Sequence, residues 1–302
     1  FSMGVDFADI DRDGDTDFFV VDMLSRDHEM RHVQISEMVS KNEPHTLLKS
    51  RPQVSRNTLQ VNRGDNTFAE LAYYANVEAS EWSWGPIFLD VDLDGYEDIL
   101  VTNGQLRDFQ NADMAAKIEA EKKRGALSQK DILNLISLFP NLRTQNVAFK
   151  NNRDGTFSDF SAEWGFAEPG ISQGMALADL DNDGDQDLFA GLDFAYAGKT
   201  HQIWLNDGDG VFSLKNNAGI ETVPGGVANA LFADFNGDAV VDLFLGIGGT
   251  GSAQKDRLFL GDGDGTFTED SGRLNNRPAQ PSNGSVACDY DNDGDLDIFV
   301  SN

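Results

Sequence analysis

Asp179-Leu-Asp181-Asn-Asp183-Gly184-Asp185-Gln-Asp187 sets carboxylates at alternate positions 1, 3 and 5 of a short stretch, glycine at 6 and a last Asp at 9. Side chains at that spacing aim several oxygens at one point while the backbone turns sharply. Each pair of unit charges ~4 Å apart repels by roughly 4 kcal/mol at an effective dielectric of ~20. A hard divalent cation with six to eight oxygen ligands relieves that repulsion, and calcium is the ion such a ring suits. The pattern returns with first positions at Asp9, Asp90, Asp234 and Asp289. An EF-hand is excluded: position 12 is Val20, Val101, Ala190, Leu245 or Val300 where that loop needs Glu, and a strand rather than a helix is expected to follow.

The five first positions lie 81, 89, 55 and 55 residues apart, and a second landmark runs in phase. It reads Asn62-Arg-Gly-Asp-Asn-Thr-Phe68, Asn151-Asn-Arg-Asp-Gly-Thr-Phe157, Asn206-Asp-Gly-Asp-Gly-Val-Phe212 and Gly261-Asp-Gly-Asp-Gly-Thr-Phe267. Every closing Phe precedes the next acidic stretch by 22 residues. The length variation therefore falls at one equivalent point, where the first two units carry 26 and 34 extra residues.

Each unit reads as four short strands. A small-residue strand such as Gly174–Ala178 enters the acidic loop and an apolar one such as Leu188-Phe-Ala leaves it; Gln202–Leu205 then meets a Gly/Asp hairpin turn before the fourth. Four antiparallel strands at a fixed period predict an all-β fold, a β-propeller of four-stranded blades, with four full blades and half of a fifth across residues 1–302. The insertions, at about 25–56 and 105–145, predict helices: one over Arg26 to Ser40, one within Asp108 to Arg124, and one after a Ser128-x-x-Asp131 capping box. Both fall between strands 2 and 3, which places them on the face away from the acidic loops.

With both landmarks in phase, the chain resembles the FG-GAP (or VCBS) repeat family, the integrin-α-type calcium-binding propellers. It is more similar still to the bacterial and cartilage-acidic-protein-like branch, through Asn-x-x-Asp-Gly-Thr-Phe followed by a segment like Ser161-Ala-Glu-Trp-Gly165-Phe166. The resemblance implies side-chain ligands at loop positions 1, 3, 5 and 9 and a carbonyl at 7. These are Asp9, Asp11, Asp13 and Asp17 with the Asp15 carbonyl, then Asp90, Asp92, Asp94 and Asp98 with that of Tyr96. They continue as Asp179, Asp181, Asp183 and Asp187 with Asp185, and Asp289, Asp291, Asp293 and Asp297 with Asp295. The fourth loop offers Asp234, Asn236, Asp238 and Asp242 with Val240, but Ala239 replaces the glycine at 6. Alanine is strained if that position needs positive φ, so of up to five Ca²⁺ this one is expected to be held worst. By family analogy the half blade points to a longer protein with roughly seven blades.

Other constellations compete less well. His28-Glu29-Met-Arg-His32 is a literal HExxH, and on a helix its histidines share a face that suits zinc. The longer protease signature is absent, because Ile35 and Met38 stand where its glycine and third histidine would fall, and only Glu37, Glu43 and His45 offer a further ligand. Arg63-Gly64-Asp65 occupies the repeated hairpin turn, where Gly and Asp serve turn geometry. Trp82, Trp84 and Trp164 fall near strand 4–1 connections and, with His201, are expected on the insertion face; Trp204 and the lone Cys288 read as core.

A formal charge of −28 excludes nucleic acid, and five calcium ions would still leave −18. No apolar run approaches the ~20 residues of a spanning helix, so membrane insertion is not expected. One cysteine forbids an internal disulfide, and location rests on the loops, which suit calcium-rich extracellular, cell-surface or periplasmic surroundings. The function expected is a non-catalytic, calcium-stabilised module for adhesion or for carbohydrate or protein recognition, its protein or glycan ligand on the face opposite the calcium loops. The alternatives are a lyase-like polysaccharide enzyme, a structural part of a larger surface assembly, or a zinc site at His28 and His32.

Overall fold

Apolar and β-branched runs broken by Gly/Asp turns form strands throughout. The computed structural model describes residues 2–34, 55–123, 128–142, 144–167, 169–192, 200–223, 226–248, 254–270, 272–274 and 279–301. The first sheet is β1 (Gly4–Ala8), β2 (Asp17–Val21), β3 (Thr58–Asn62) and β4 (Phe68–Glu70), with helix α1 (His28–Val33) between β2 and β3. The second opens with β5 (Ser83–Leu89) and β6 (Asp98–Asn103). After β7 (Gln105–Arg107), α2 (Ala112–Lys122), α3 (Gln129–Ile136), β8 (Asn141–Leu142) and β9 (Thr144–Gln145), it resumes with β10 (Val147–Asn151) and β11 (Phe157–Asp159).

The short strand β12 (Pro169–Gly170) pairs with β9, and β7 with β8. The third sheet is β13 (Ser172–Ala178), β14 (Asp187–Leu192), β15 (Gln202–Leu205) and β16 (Ser213–Leu214). The fourth is β17 (Gly226–Ala233), β18 (Asp242–Gly248), β19 (Arg257–Gly261) and β20 (Phe267–Glu269); β21 (Gly284–Cys288) and β22 (Asp297–Ser301) make a two-stranded pair. Every pairing within these sheets is antiparallel.

The sheets stack on their faces, one against the next. Phe19, Val21 and Leu59 of the first meet Ile99, Val101 and Phe149 of the second. Leu100 and Ala148 of the second meet Leu188 of the third, and Phe189 and Ile203 of the third meet Leu243, Leu245 and Phe259 of the fourth. A strand's side chains alternate between its two faces. Neighbours such as Ile99 and Leu100, or Leu188 and Phe189, thus enter different cores, which is why β6 and β14 are buried along their whole length. The first two strands of neighbouring sheets come close enough to require small residues. A Cβ on Gly4 would lie 2.8 Å from Pro86 Cδ, and one on Gly191 2.9 Å from Val227 Cβ.

Two of the predicted helices form, and the second has the expected capping box. Asn111 Oδ1 accepts from Met114 N at 3.1 Å ahead of α2. Ser128 and Asp131 bond reciprocally ahead of α3, at 2.9 Å from Ser128 N and 3.2 Å from Asp131 N. The helix expected over Arg26 to Ser40 stops at Val33. Gln34 turns extended, its Oε1 accepting from Ser25 N at 3.0 Å and its Nε2 donating to Gln110 Oε1 at 2.8 Å, so a tertiary pairing overrides helix continuation; residues 35–40 lie outside the described residues. Cys288, expected in the core, is exposed, because β21 ends here on a face that no described element covers. Trp84 lies inside β5 rather than in a connection, and its Nε1 donates to Gly104 O at 2.6 Å.

Phe189 is fully buried between the third and fourth sheets. Phe189→Ala is expected to cost about 3–5 kcal/mol in urea denaturation, and a loss below about 1 kcal/mol would contradict face-to-face packing of these sheets.

Candidate metal centres in the acidic loops

Each acidic loop joins the first two strands of a sheet, and its last Asp is the anchor. Asp17, Asp98, Asp187 and Asp242 are fully buried, yet both carboxylate oxygens of each accept backbone N–H groups. One donor is position 2 of the same loop: Ile10 at 3.0 Å, Val91 at 3.0 Å, Leu180 at 2.7 Å and Phe235 at 2.9 Å. The other is the end of the third strand: Asn62 at 2.8 Å, Asn151 at 2.8 Å, Asn206 at 2.9 Å and Gly261 at 3.0 Å. Position 9 thereby ties the loop to the hairpin beyond it. In the fifth loop Asp297 accepts from Tyr290 N at 3.0 Å.

Position 1 shapes the turn. Asp9 takes Asp13 N and Gly14 N at 3.1 and 3.0 Å, and Asp90 takes Asp94 N and Gly95 N at 2.9 and 2.8 Å. Position 5 then accepts from the N–H of position 7, as Asp13 does from Asp15, Asp94 from Tyr96, Asp183 from Asp185, Asp238 from Val240 and Asp293 from Asp295. Gly14, Gly95, Gly184 and Gly294 at position 6 all have positive φ, and Ala239 is held at φ 67 in the same place. The requirement for positive φ thus stands, and alanine meets it under strain.

In four loops the carboxylates converge. Asp9, Asp11 and Asp13 form one group, and Asp90, Asp92 and Asp94 a second. Asp179, Asp181 and Asp187 form a third, and Asp289, Asp291 and Asp297 a fourth; each group has ligand atoms within 4.8 Å of one another. The fourth loop makes no such group among the described residues. Asp234 spends its oxygens on the N–H groups of Asn236, Gly237, Asp238 and Ala239, and these bonds hold its carboxyl below the usual range.

A cation fits the second and third loops on two counts. Asp92 Oδ1, Asp179 Oδ1, Asp181 Oδ1 and Asp185 Oδ1 are buried with no hydrogen-bond partner, a costly arrangement unless an ion satisfies them. Three of their acids also resist ionisation. Burial, then neighbouring carboxylates, push Asp98 and Asp187 up to about 7 and Asp185 up to about 6. Asp185 was expected to offer only its carbonyl, but its side chain is buried against Asp183 and Asp181 as well. Its identity as a fifth acid in this loop was the available signal.

A second concave site lies at the opposite strand ends. A cavity of about 400 Å³ is lined by Arg26 and Gln34 near α1, by Glu81 and Trp82 ahead of β5, and by Asp108 and Thr144 around the second insertion. Trp82 Nε1 and Thr144 Oγ1 are buried without a partner. Glu81 adopts φ 75 while its carboxylate accepts from Arg26 N and Ser25 Oγ, both at 2.8 Å. Trp164 and His201, expected on the insertion face, are both buried: Trp164 packs among Phe166 and Phe212, and His201 Nδ1 accepts from Leu192 N at 3.1 Å. Trp204 packs partly buried against the same cluster as Trp164. His28 and His32 bring their Nε2 atoms to 3.2 Å on an exposed turn of α1, and no third ligand joins them among the described residues.

Serial four-stranded antiparallel sheets, each entered through an acidic loop, define a class of β-sheet repeat proteins. FG-GAP-like repeats are matched at residues 130–190 and 241–300. It is 30% identical over 163 residues to cartilage acidic protein 1 of Homo sapiens and 29% identical over 163 residues to that of Mus musculus. These matches cover 52% of this chain, which spans about a quarter of the length of either relative, 24% and 25%.

The two classes of Asp separate by substitution. Asp98→Ala strands two buried N–H groups and is expected to lose about 2–4 kcal/mol with or without calcium. Asp181→Ala is expected to destabilise only when calcium is present, as judged from denaturation midpoints in calcium and in EGTA. Equal calcium dependence of the two variants would refute the division.

Proposed function

We propose that the chain is part of a calcium-stabilised β-propeller that serves as an extracellular recognition module. The observation that carries this reading is the return of converging carboxylates at one end of successive sheets, with buried oxygens that lack partners in the second and third loops. Serial packing through both faces is what blades of a propeller require. Calcium would be held by the converging groups Asp9, Asp11 and Asp13, then Asp90, Asp92 and Asp94, then Asp179, Asp181 and Asp187, and then Asp289, Asp291 and Asp297, and it would supply the positive charge that lets those acids stay ionised. Position 9 would remain chiefly a structural acceptor. Weak sites of this kind are useful where calcium is abundant, which favours the outside of cells.

The cavity at the opposite strand ends, with Trp82 Nε1 and Thr144 Oγ1 turned to no protein partner, is the place proposed for a polar ligand, a glycan or a protein side chain. Among the described residues no helix is long and apolar enough to cross a membrane.

Each site filled at a hundred times its Kd adds about 2.7 kcal/mol to stability. Excess EGTA is therefore expected to lower the melting temperature by about 10 °C or more, and calcium to restore it. A melting curve indifferent to both would remove calcium from the account.

A further inference from the structure

The second acidic loop differs from its siblings in what surrounds it. Lys150, at the penultimate position of β10, reaches back across the sheet: Nζ bonds Asp92 Oδ2 and lies 3.7 Å from Asp94 Oδ2. Arg153, in the following turn, places Nη2 2.7 Å from Asp94 Oδ2, and its guanidinium stands 5.2 Å from the centre of the Tyr96 ring. At the position of Lys150 the other sheets carry Val61, Leu205 and Leu260, and at that of Arg153 they carry Gly64, Gly208 and Gly263.

Neither residue rests there by default. Lys150 is three-quarters buried and is flanked by the rings of Phe160 and Trp164, at 5.6 and 6.0 Å from Nζ, so its ammonium has a defined seat. Arg153 has φ 63, in the same left-handed region that Gly64, Gly208 and Gly263 occupy at 69, 74 and 74. An arginine accepts strain there that glycine escapes.

We propose that Lys150 and Arg153 are resident counter-ions of the second loop, so that this loop keeps its shape without calcium and takes calcium at higher concentration than the first and third. The proposal rests on the calcium reading above and concerns which loop answers to the ion. Two fixed positive charges on Asp92 and Asp94 relieve the repulsion a metal would otherwise relieve, and they repel a divalent ion that approaches the same oxygens. Asp92 Oδ1 remains unpartnered, so the ion can still enter once Lys150 swings away. The first and third loops have no Lys or Arg paired with their ring carboxylates among the ion pairs of the described residues.

The test is hydrogen exchange by mass spectrometry across a calcium titration, comparing peptides that span Asp90–Asp98 and Asp179–Asp187. In the wild type the protection midpoint of the second loop is expected at about tenfold or more higher calcium than that of the third. In EGTA the second loop should be the better protected. Lys150→Leu, which installs the residue of the third and fourth sheets, should bring the two midpoints together and remove the protection in EGTA. Arg153→Gly should move them the same way and serves if the first variant folds poorly. Equal midpoints in the wild type, or midpoints unmoved by both substitutions, overturn the proposal. If neither peptide responds to calcium, the calcium reading itself fails and the proposal falls with it, a result distinct from equal midpoints.

Discussion

The structure depends on a buried carboxylate that accepts two backbone N–H groups from different parts of the chain. Asp17, Asp98, Asp187 and Asp242 each hold the start of their own loop and the end of the third strand. A buried ionised Asp is expensive, and two backbone donors alone leave Asp98 and Asp187 with pKa values near neutrality. The loop geometry therefore asks for positive charge nearby, and the question at each loop is what supplies it. The third loop, with five acids and unpartnered oxygens, has no answer within its own hydrogen bonds. The second has a partial one in Lys150 and Arg153. The fourth needs less, because Asp234 is already surrounded by N–H groups and Asn236 replaces one acid.

A second tie runs between sheets. Asn151 Nδ2 donates to Ile10 O at 2.9 Å, and Asn206 Nδ2 donates to Val91 O at 3.0 Å, so a hairpin residue of one sheet holds the acidic loop of the sheet before it. In the fourth sheet Gly261 stands where that Asn would be, since a Cβ there would lie 2.1 Å from Val241 O. Gly265 N replaces the lost side chain and donates to Leu180 O at 2.9 Å. One junction thus survives a change of chemistry because a backbone donor one turn away can reach the same carbonyl.

Much of this was legible in the residues. The period, the strand pairs, the loops and the cap of α3 are local patterns, and local patterns are what a sequence displays directly. The need for positive φ at position 6 could be read from four glycines, and Ala239 at φ 67 obeys the same rule. What stayed hidden depends on contacts distant in sequence. Gln34 leaves its helix to pair with Gln110; His201 turns inward to take a backbone N–H; Cys288 lies on an uncovered face. Lys150 differs from Val61, Leu205 and Leu260 at the same repeat position, but what its charge reaches depends on the fold.

The ties between sheets also have a direction. The first loop is completed by Asn151, the second by Asn206 and the third by Gly265, always by a residue from the sheet that follows. A ribosome makes the chain from its amino end, so each loop emerges well before the group that closes it. Every new sheet thus completes the loop of its predecessor as well as its own.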